Sequence, residues 1–379
     1  IHNTFLQNYK IMDIDKIIFV HSPHDNVIGG LPIIDKRNKF LLTSFTKNVV
    51  DIPVKEEKCI GNRFYRYACH IKAILKNHNV SIYRKICQEV DEPMNTVIFI
   101  SHSTYGTIIK DLKKKYPALR IVCFFHNVEI TMAYNRLKFK FHKGHLYEWV
   151  RYYMSEVYSI KYSDVLLVLN NRDRQLLHKF YRNTKEVFLF PTSLKDRCPD
   201  IKLSLKKRKL NILFVGTYFW GNIPGILDFI KEVMPQIDAH LYVVGNKMEC
   251  LIPHLPSLSS NVEIVGKVSD EVLDEYYKNA DIFIAPINSG GGMKTKVAEA
   301  MMFGLPVIGT SEAFCGYDID ISSVGYRADS SEDFIQFIKE LDGDRKLLFE
   351  KSQKARLLFE EKYSIKSSLS NLESIFNLK

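Results

Sequence analysis

The 379-residue chain contains no apolar run that approaches the ~20 residues of a membrane-spanning helix. Its start, IHNTFLQNYKIMDIDK, lacks the long apolar centre of a signal peptide. It also lacks an initiating Met, so we expect that residues are missing or have been processed. The seven cysteines are scattered and include no CxxC pair, so a reduced cytoplasmic protein is expected. Without repeats or low-complexity segments, this length suggests two globular domains.

The net charge of +10 is distributed unevenly along the chain. Residues 1–200 hold 32 Lys and Arg against 19 Asp and Glu, a net charge of +13. Residues 201–379 hold 21 against 24, a net charge of −3. A basic surface attracts nucleic acid, anionic lipid or anionic substrates, and the alternative is a solvated lysine-rich face. We expect no nucleic-acid partner, because no recognised binding module is present.

Apolar strand patterns alternate with amphipathic helix patterns in both halves of the chain, which predicts βαβ units and parallel sheets. Between Thr192 and Lys209 this periodicity is lost. We therefore predict an α/β protein with two doubly wound, Rossmann-like domains facing a cleft. The predicted parts are a first Rossmann-like domain at 1–195, a linker at 196–209, a second Rossmann-like domain at 210–358 and a C-terminal helix at 359–379 that crosses back to the first domain.

The stretch SGGGMKTKVAEAMMFGLPVIGT follows a predicted buried strand, DIFIAP. Gly290, Gly291 and Gly292 let backbone N–H groups approach a ligand closely. The residues after them are good helix formers, and the N-terminus of such a helix favours a phosphate. Lys294 and Lys296 add positive charge near that end.

Glu299 lies about 7.5 Å along the helix axis from Lys294, at roughly 1.5 Å per residue. It shares a helix face with Lys296. A carboxylate in this place can accept hydrogen bonds from a ribose diol, so the local chemistry suggests a nucleoside diphosphate with its ribose on Glu299. The alternative is a glycine loop that begins an ordinary helix with solvated Lys and Glu side chains.

Several stretches together resemble the GT-B fold glycosyltransferases of the group-1, or family-four, type, and the resemblance covers most of the chain. In the second half they are LFVGTYFWGNIPG, LYVVGN, VEIVGKVSDEVLDEYYKNADIFIAP and GGGMKTKVAEAMMFGLPVIGT, and in the first half FFHNVE and YSDVLLVLNNRDRQLL. The resemblance implies a transferase that moves a sugar from a nucleoside-diphosphate sugar to a glycan or lipid-linked acceptor. It points to cell-surface polysaccharide or glycoconjugate synthesis, with no cofactor besides the donor substrate.

The family carries a pair of glutamates in this region. The second matches Glu299, which the resemblance makes the ribose ligand. The first falls on Gly291, so the carboxylate that usually contacts the donor sugar is absent. The sugar must then be held by backbone N–H groups of the glycine turn, or in another way.

The family's basic pair after the first strand of this domain is also missing, and Thr217, Trp220 and Asn222 stand there instead. Lys296 occupies the place, three residues before Glu299, of a lysine in similar glucuronosyltransferases of exopolysaccharide pathways. The predicted donor-binding residues are Gly29, Gly30, Thr217, Asn222, Gly290, Gly291, Gly292, Met293, Lys294, Lys296 and Glu299.

In the first half, Gly29 and Gly30 match the family's glycine loop. His126 matches a strand-end histidine that commonly contacts the donor sugar; its alternative is a structural hydrogen bond. An inverting enzyme needs a general base near the acceptor hydroxyl. Asp25 and His24 are the nearby candidates, and a solvated loop is their alternative. The predicted catalytic residues are His126 and Asp25.

Negative charge grows on the leaving nucleoside diphosphate, and helix-end N–H groups with two lysines would stabilise it. We therefore expect no metal, and no DxD-type carboxylate pair is placed for one. Membership of the family favours retention of the anomeric configuration, and the absence of a glutamate at Gly291 weakens this expectation. The alternatives are a catalytically silent partner subunit and a sugar-nucleotide 2-epimerase.

The segment from Tyr134 to Tyr153 interleaves Lys and Arg with Phe, Tyr and Trp. Basic side chains are attracted to anionic lipid, and Tyr and Trp suit the headgroup level. The segment and the charge asymmetry predict peripheral docking on an anionic membrane surface, the inner face of the cell membrane. The alternative is that the aromatic residues belong to the core and the charges to a solvated face.

Overall fold

The computed structural model describes residues 14–22, 30–54, 80–139, 142–201, 208–255, 259–289 and 293–377. The chain forms two compact units, one of Ile1–Pro191 with Ser368–Lys379 and the other of Thr192–Ser367. These bounds differ from those expected from the sequence, since the segment predicted as a linker, 196–209, falls inside the second unit.

The first unit is built on a six-stranded parallel sheet with the order β2-β1-β3-β4-β5-β6. Its strands are β1 (Lys16–His21), β2 (Val49–Pro53), β3 (Thr96–Ile100), β4 (Arg120–Phe125), β5 (Val165–Val168) and β6 (Val187–Leu189). Its helices are α1 (Gly30–Leu42), α2 (Val80–Glu89), α3 (Gly106–Lys115), α4 (Glu129–Phe139), α5 (Lys143–Tyr162) and α6 (Asn171–Tyr181).

The second unit is built on another six-stranded parallel sheet, with the order β12-β11-β10-β7-β8-β9. Its strands are β7 (Leu210–Val215), β8 (Ala239–Val244), β9 (Val262–Gly266), β10 (Ile282–Ala285), β11 (Val307–Gly309) and β12 (Gly325–Arg327). The helices that follow in the chain are α7 (Ile223–Asp228), α8 (Asp270–Asn279), α9 (Thr295–Met302), α10 (Ile321–Val324), α11 (Ser331–Gly343), α12 (Arg345–Leu358) and α13 (Ile365–Phe376).

The strands are apolar on both faces because each sheet is covered by helices on both sides. In β7, Phe214 points into a core shared with α7 and α11. The adjacent Leu213 points into the opposite core, shared with α8, α9 and α12. This alternation confirms the predicted doubly wound α/β class.

The last turns of α13 belong to the first unit. The guanidinium of Arg120 in β4 donates to the carbonyl oxygens of Ile375 and Phe376. The amide of Asn371 donates to the carbonyl of Leu189 at the end of β6. These bonds attach the C-terminal residues 368–377 to the sheet that begins the chain.

Several residues begin or end helices through local hydrogen bonds or backbone geometry. Asn170 caps α6 by accepting from the Asp173 N–H at 2.9 Å, and Ser269 caps α8 by accepting from the Val272 N–H at 3.4 Å. Gly304, with φ of 66°, ends the helix α9. Because all strands of each sheet run parallel, the loops after their carboxyl ends share one edge, where ligands of such sheets bind. Among the described helices, none has the length and apolar character needed to cross a membrane.

Candidate functional site

Helix α9 begins after the predicted glycine turn. Gly290, Gly291 and Gly292 lie outside the described residues, which resume at Met293. The first turn of α9 is held by Tyr317, whose hydroxyl donates to the carbonyl of Lys294 at 2.7 Å and accepts from the Ala298 N–H at 3.0 Å. A tyrosine on a separate segment thus fixes the direction of the helix N-terminus.

Lys296 connects this helix to the loop after β7. Its amine donates to Oδ1 of Asn222 at 3.1 Å and lies 5.0 Å from the centroid of the Phe214 ring. The amide of Asn222 in turn donates to the carbonyl of Thr217 at 2.9 Å. Desolvation by burial lowers the pKa of Lys296 to about 8, against the opposing effect of Glu299. The structure therefore brings together three of the predicted donor-binding residues.

Two loops at this edge of the sheet are in close contact because two glycines lack side chains. A Cβ at Gly221 would lie 2.7 Å from the carbonyl oxygen of Ser289, and a Cβ at Gly225 would lie 1.7 Å from that of Pro286. Beside this contact, the rings of Phe219 and Trp220 are exposed, with centroids 4.9 Å apart. The loop after β7 is thereby held against the segment that leads into the glycine turn.

Lys294 is also near the start of α9, but its charge is neutralised by an ion pair. Its amine forms a 2.7 Å ion pair with Oε1 of Glu312, and only 10% of its side chain is exposed. An anion at this end of the helix would meet Lys294 already paired, so Lys296 is the stronger cationic group of the two for such a ligand.

Glu299 is oriented by residues that the sequence analysis did not single out. The hydroxyl of Tyr277 in α8 donates to Oε2 of Glu299 at 3.3 Å. Nη1 of Arg197 lies 3.8 Å from Oε1, and Nε of Arg197 pairs with Asp274 at 2.9 Å. Burial raises the pKa of Tyr277 well above its usual value, so the phenol keeps its proton and donates. Arg197 lay in the predicted linker, and Tyr277 had the pattern of a helix core residue.

In the first unit, His126 directly follows β4, as predicted. Its Nε2 lies 3.1 Å from Oδ1 of Asp35 and 3.1 Å from Oγ of Ser101. Asn38 donates to the same Oγ at 3.3 Å. The predicted His24, Asp25 and Gly29 lie outside the described residues, and α1 begins at Gly30. The sequence analysis did not single out these three partners, because Asp35 and Asn38 stand in the polar run DKRNK and Ser101 in the polar loop SHST, where nothing distinguishes them from their neighbours.

Comparison with known proteins finds similarity in part of the chain. Residues 209–341 match the family model described as Glycosyl transferases group 1. A curated protein from Klebsiella pneumoniae, an uncharacterized 44.6 kDa protein in the cps region, is 30% identical over 112 residues. That match spans 27% of this chain and 29% of the relative, so the chain covers less than a third of that protein.

Solved structures resemble the whole chain at low identity. HepE from Anabaena in complex with UDP has a TM-score of 0.67 at 10% identity, covering 96% of this chain and 100% of that one. Sucrose-phosphate synthase from Thermosynechococcus elongatus has a TM-score of 0.65 at 14% identity, with 96% and 98% covered. WaaG, a glycosyltransferase involved in lipopolysaccharide biosynthesis, has a TM-score of 0.58 at 18% identity, with 95% and 99% covered. The chain therefore has the GT-B fold of these structures, and residues 209–341 match the model of the group 1 glycosyl transferases.

Proposed function

We propose that the protein transfers a sugar from a nucleoside-diphosphate sugar to an acceptor and that the second unit holds the nucleotide. The observation that carries this proposal is the arrangement on α9. Lys296 faces the loop after β7, and Glu299 stands one turn further along the same helix, oriented by Tyr277. A cation followed by a carboxylate suits a diphosphate followed by a ribose. HepE, which shares the fold, has been solved with UDP and with UDP-glucose.

The leaving diphosphate gains negative charge as the glycosidic bond breaks. By helix geometry, the N–H groups of Thr295 and Lys296 have no intrahelical partner and are available to a phosphate. The Lys296 amine can exchange Asn222 for a phosphate oxygen within the same region. These groups support a reaction that needs no metal, since they neutralise the charge that a cation would otherwise carry. Retention of configuration is the outcome we propose from the family resemblance.

The acceptor we propose is a glycan or lipid-linked molecule of cell-surface polysaccharide or glycoconjugate synthesis, handled in the cytoplasm. The relative in a cps region and the fold neighbour involved in lipopolysaccharide biosynthesis support this class. The basic character of residues 1–200 suits an acceptor with anionic groups or a site beside an anionic membrane.

The surface of α4 and α5 supports peripheral membrane docking. We define the α4–α5 surface as the exposed side chains Met132, Tyr134, Lys138, Lys143, Leu146 and Tyr153. Trp149, by contrast, packs against the core of the first unit. Of the aromatic residues in this segment, Trp149 therefore belongs to the core, whereas Tyr134 and Tyr153 are exposed. The exposed side chains combine apolar, aromatic and cationic groups.

The deciding experiment is isothermal titration of the protein with UDP, GDP and ADP and with their sugar conjugates, with EDTA present, followed by product analysis with membrane extract as the acceptor source. Binding of one nucleotide together with sugar release or transfer supports the proposal. Tight binding without turnover of any sugar would favour a silent partner subunit, for which the glycine at 291 is the supporting feature. Interconversion of the sugar without transfer would indicate a 2-epimerase.

A further inference from the structure

Two aromatic side chains in the loop after β7 are exposed, and we call them the aromatic pair. Phe219 is 46% exposed and Trp220 is 61% exposed. Their ring centroids are 4.9 Å apart, and the ring planes are tilted by 50°. Large apolar side chains that are exposed singly are ordinary at protein surfaces. Two adjoining rings at the ligand-binding edge of a parallel sheet indicate a binding surface.

The backbone of this loop is held by hydrogen bonds, so it presents the aromatic pair in one place. The N–H of Tyr218 donates to the carbonyl of Asn246 at 3.0 Å, and the N–H of Asn222 donates to the carbonyl of Phe219 at 2.8 Å. The Phe219 ring lies against Gly221, where a Cβ would be 3.2 Å from it. Because the loop is already ordered, a ligand that stacks on the rings loses little affinity to the ordering of the protein.

The loop meets α9 at the N-terminal end of that helix. The Lys296 amine donates to Asn222, and Gly221 approaches the carbonyl of Ser289, which precedes the glycine turn. Glu299 lies three residues beyond Lys296, about 4.5 Å further along the helix axis. A nucleoside-diphosphate sugar carries its groups in the order nucleobase, ribose, diphosphate and sugar. With the ribose at Glu299 and the diphosphate at Lys296, the sugar lies on the side of the aromatic pair and the nucleobase on the opposite side.

The chemistry of the aromatic pair suits a sugar ring better than a phosphate or a membrane. The face of an aromatic ring carries partial negative charge, so it repels an anion and attracts electron-poor C–H groups. The face of a pyranose ring presents such C–H groups, since each carbon also bears an oxygen. The indole N–H of Trp220 can in addition donate to a sugar hydroxyl. An anionic membrane is a poor occupant, because residues 201–379 have a net charge of −3.

We propose that the aromatic pair stacks against the pyranose ring of the donor sugar, with Trp220 as the larger and more exposed of the two contacts. The inference rests on the proposed glycosyltransferase function. Position 291 is a glycine, so no side chain there can form a hydrogen bond with the sugar. Stacking on Trp220 and Phe219 supplies affinity for the sugar that does not depend on such a bond.

The first test uses tryptophan fluorescence. The chain has two tryptophans, and Trp149 packs against the core of the first unit, so Trp149→Phe leaves Trp220 as the reporter. The probes are UDP, GDP and ADP and their glucose conjugates. We expect the conjugate of the nucleotide that binds to shift the Trp220 emission to shorter wavelength, because the sugar displaces water from the ring. The free nucleotide should leave the emission nearly unchanged.

An equal shift with the free nucleotide would place the nucleobase or the phosphates on Trp220 and would overturn the proposal. So would an emission spectrum that neither ligand changes at saturation. Where Trp149→Phe does not fold, the difference between the spectra of the parent and of Trp220→Phe isolates the same signal.

The second test is calorimetric titration with the same ligands. In Trp220→Ala the ratio of the dissociation constant of the conjugate to that of the free nucleotide should rise about two- to tenfold, as for one lost stacking contact. Phe219→Ala should raise it less, and Trp220→Tyr, which keeps a ring, should stay close to the parent. The matched control is Leu357→Ala, which removes a 55% exposed apolar side chain from α12 and should leave the ratio unchanged. An unchanged ratio in Trp220→Ala, or a rise in the acceptor KM alone, would overturn the proposal.

Failure of the wider functional proposal gives a different result. A parent protein that binds neither a nucleotide nor its glucose conjugate refutes the proposed function and this inference together. A parent that binds both ligands, with the same ratio of dissociation constants in Trp220→Ala, refutes the aromatic contact alone. Thermal unfolding of each variant shows whether a lost effect comes from lost structure, and Trp220→Tyr serves as the second variant where Trp220→Ala does not fold.

Discussion

Lys296 and Asn222 are 74 residues apart in the chain, yet the lysine amine donates to the asparagine side-chain oxygen at 3.1 Å. The bond joins the N-terminal turn of α9 to the loop after β7. It gives the amine a neutral partner in place of a carboxylate, so the positive charge stays available to an anion. Lys294, paired with Glu312, has no such freedom. This difference between two lysines that are neighbours in sequence leads to the first prediction.

Lys296→Ala should weaken nucleoside-diphosphate binding by about 1.5–3 kcal/mol, the contribution of a charged hydrogen bond, or about 10- to 150-fold in dissociation constant. The matched control is Lys339→Ala, which removes an equal charge from an exposed position in α11. Calorimetric titration with UDP, GDP and ADP measures both. Equal affinity in Lys296→Ala and in the control would show that the phosphate lies elsewhere.

Nucleotide affinity should also depend on pH in the alkaline range. Burial lowers the pKa of Lys296 to about 8, so the unliganded protein loses this charge as the pH rises through that value. Because the phosphate binds the cation, affinity should fall above pH 8, by up to about tenfold per pH unit. Lys296→Arg keeps its charge throughout and should lack this decline. The same decline in Lys296→Arg would mean that another group titrates.

Glu299→Gln should weaken binding of a nucleoside diphosphate by about 1.5–3 kcal/mol, since the ribose loses a charged acceptor. The sharper comparison uses UDP and its 2′,3′-dideoxy analogue. The parent should prefer UDP, and this preference should be smaller in the variant, because the amide oxygen of Gln accepts a weaker, uncharged hydrogen bond. Tyr277→Phe should give an intermediate loss, because it removes only the 3.3 Å bond that orients the carboxylate. A preference for UDP that is as large in Glu299→Gln as in the parent would place the ribose away from this residue.

The fold was largely predictable because its signals are local. Buried parallel strands show as short apolar runs, and caps such as Asn170 and Ser269 mark helix starts. The strands β2 and β12 give weaker sequence signals, because both lie at sheet edges. Of their eight residues, only Ile52 and Gly325 are buried. In the helices α4 and α5, the mixture of aromatic and basic residues hides the helical period.

The site was only half predictable for a related reason. Lys296, Glu299 and Asn222 belong to motifs that are contiguous in sequence. Their partners come from distant parts of the chain: Tyr277 from α8 and Arg197 from the segment before β7. Single residues such as Tyr277 and Arg197 belong to no recognisable sequence motif. Only tertiary packing shows that they contact the carboxylate of Glu299.

A separate prediction concerns stability rather than binding. Glu156 in α5 accepts from the N–H groups of Glu129 and Ile130 and from the hydroxyls of Ser103 and Tyr181. Despite these donors, desolvation by burial raises its pKa to about 7 from the usual 4.5. The folded state therefore holds this proton more tightly than the unfolded state. Its contribution to stability is complete below pH 4.5 and is lost as the pH rises towards 7.

The measurement is urea unfolding of the parent and of Glu156→Gln between pH 4.5 and 8. The Gln side chain of the variant does not titrate. The difference between the unfolding free energies of the parent and of the variant should therefore fall by about 3 kcal/mol across pH 4.5–7 and then level off. Glu186→Gln, at an exposed position, should follow the parent. A constant difference between the parent and Glu156→Gln over this range would contradict the prediction.

The last prediction concerns the α4–α5 surface defined above. Vesicles that contain anionic lipid should sediment the protein at low salt, and high salt should release it, because exposed charges are screened. Each basic residue near the surface contributes about 1 kcal/mol, so Lys138→Ala combined with Lys143→Ala should weaken binding about 30-fold. The control pair, Lys339→Ala with Lys354→Ala, removes the same charge from exposed positions on the second unit and should bind like the parent. Equal recovery of the protein in the supernatant with and without anionic lipid, at both salt concentrations, would reject membrane docking. The basic residues of positions 1–200 would then serve to bind a soluble anionic acceptor. An equal loss of vesicle affinity in both double variants would show instead that binding depends on the total charge of the protein. The exposed Tyr134, Leu146 and Tyr153 would then not contribute to it.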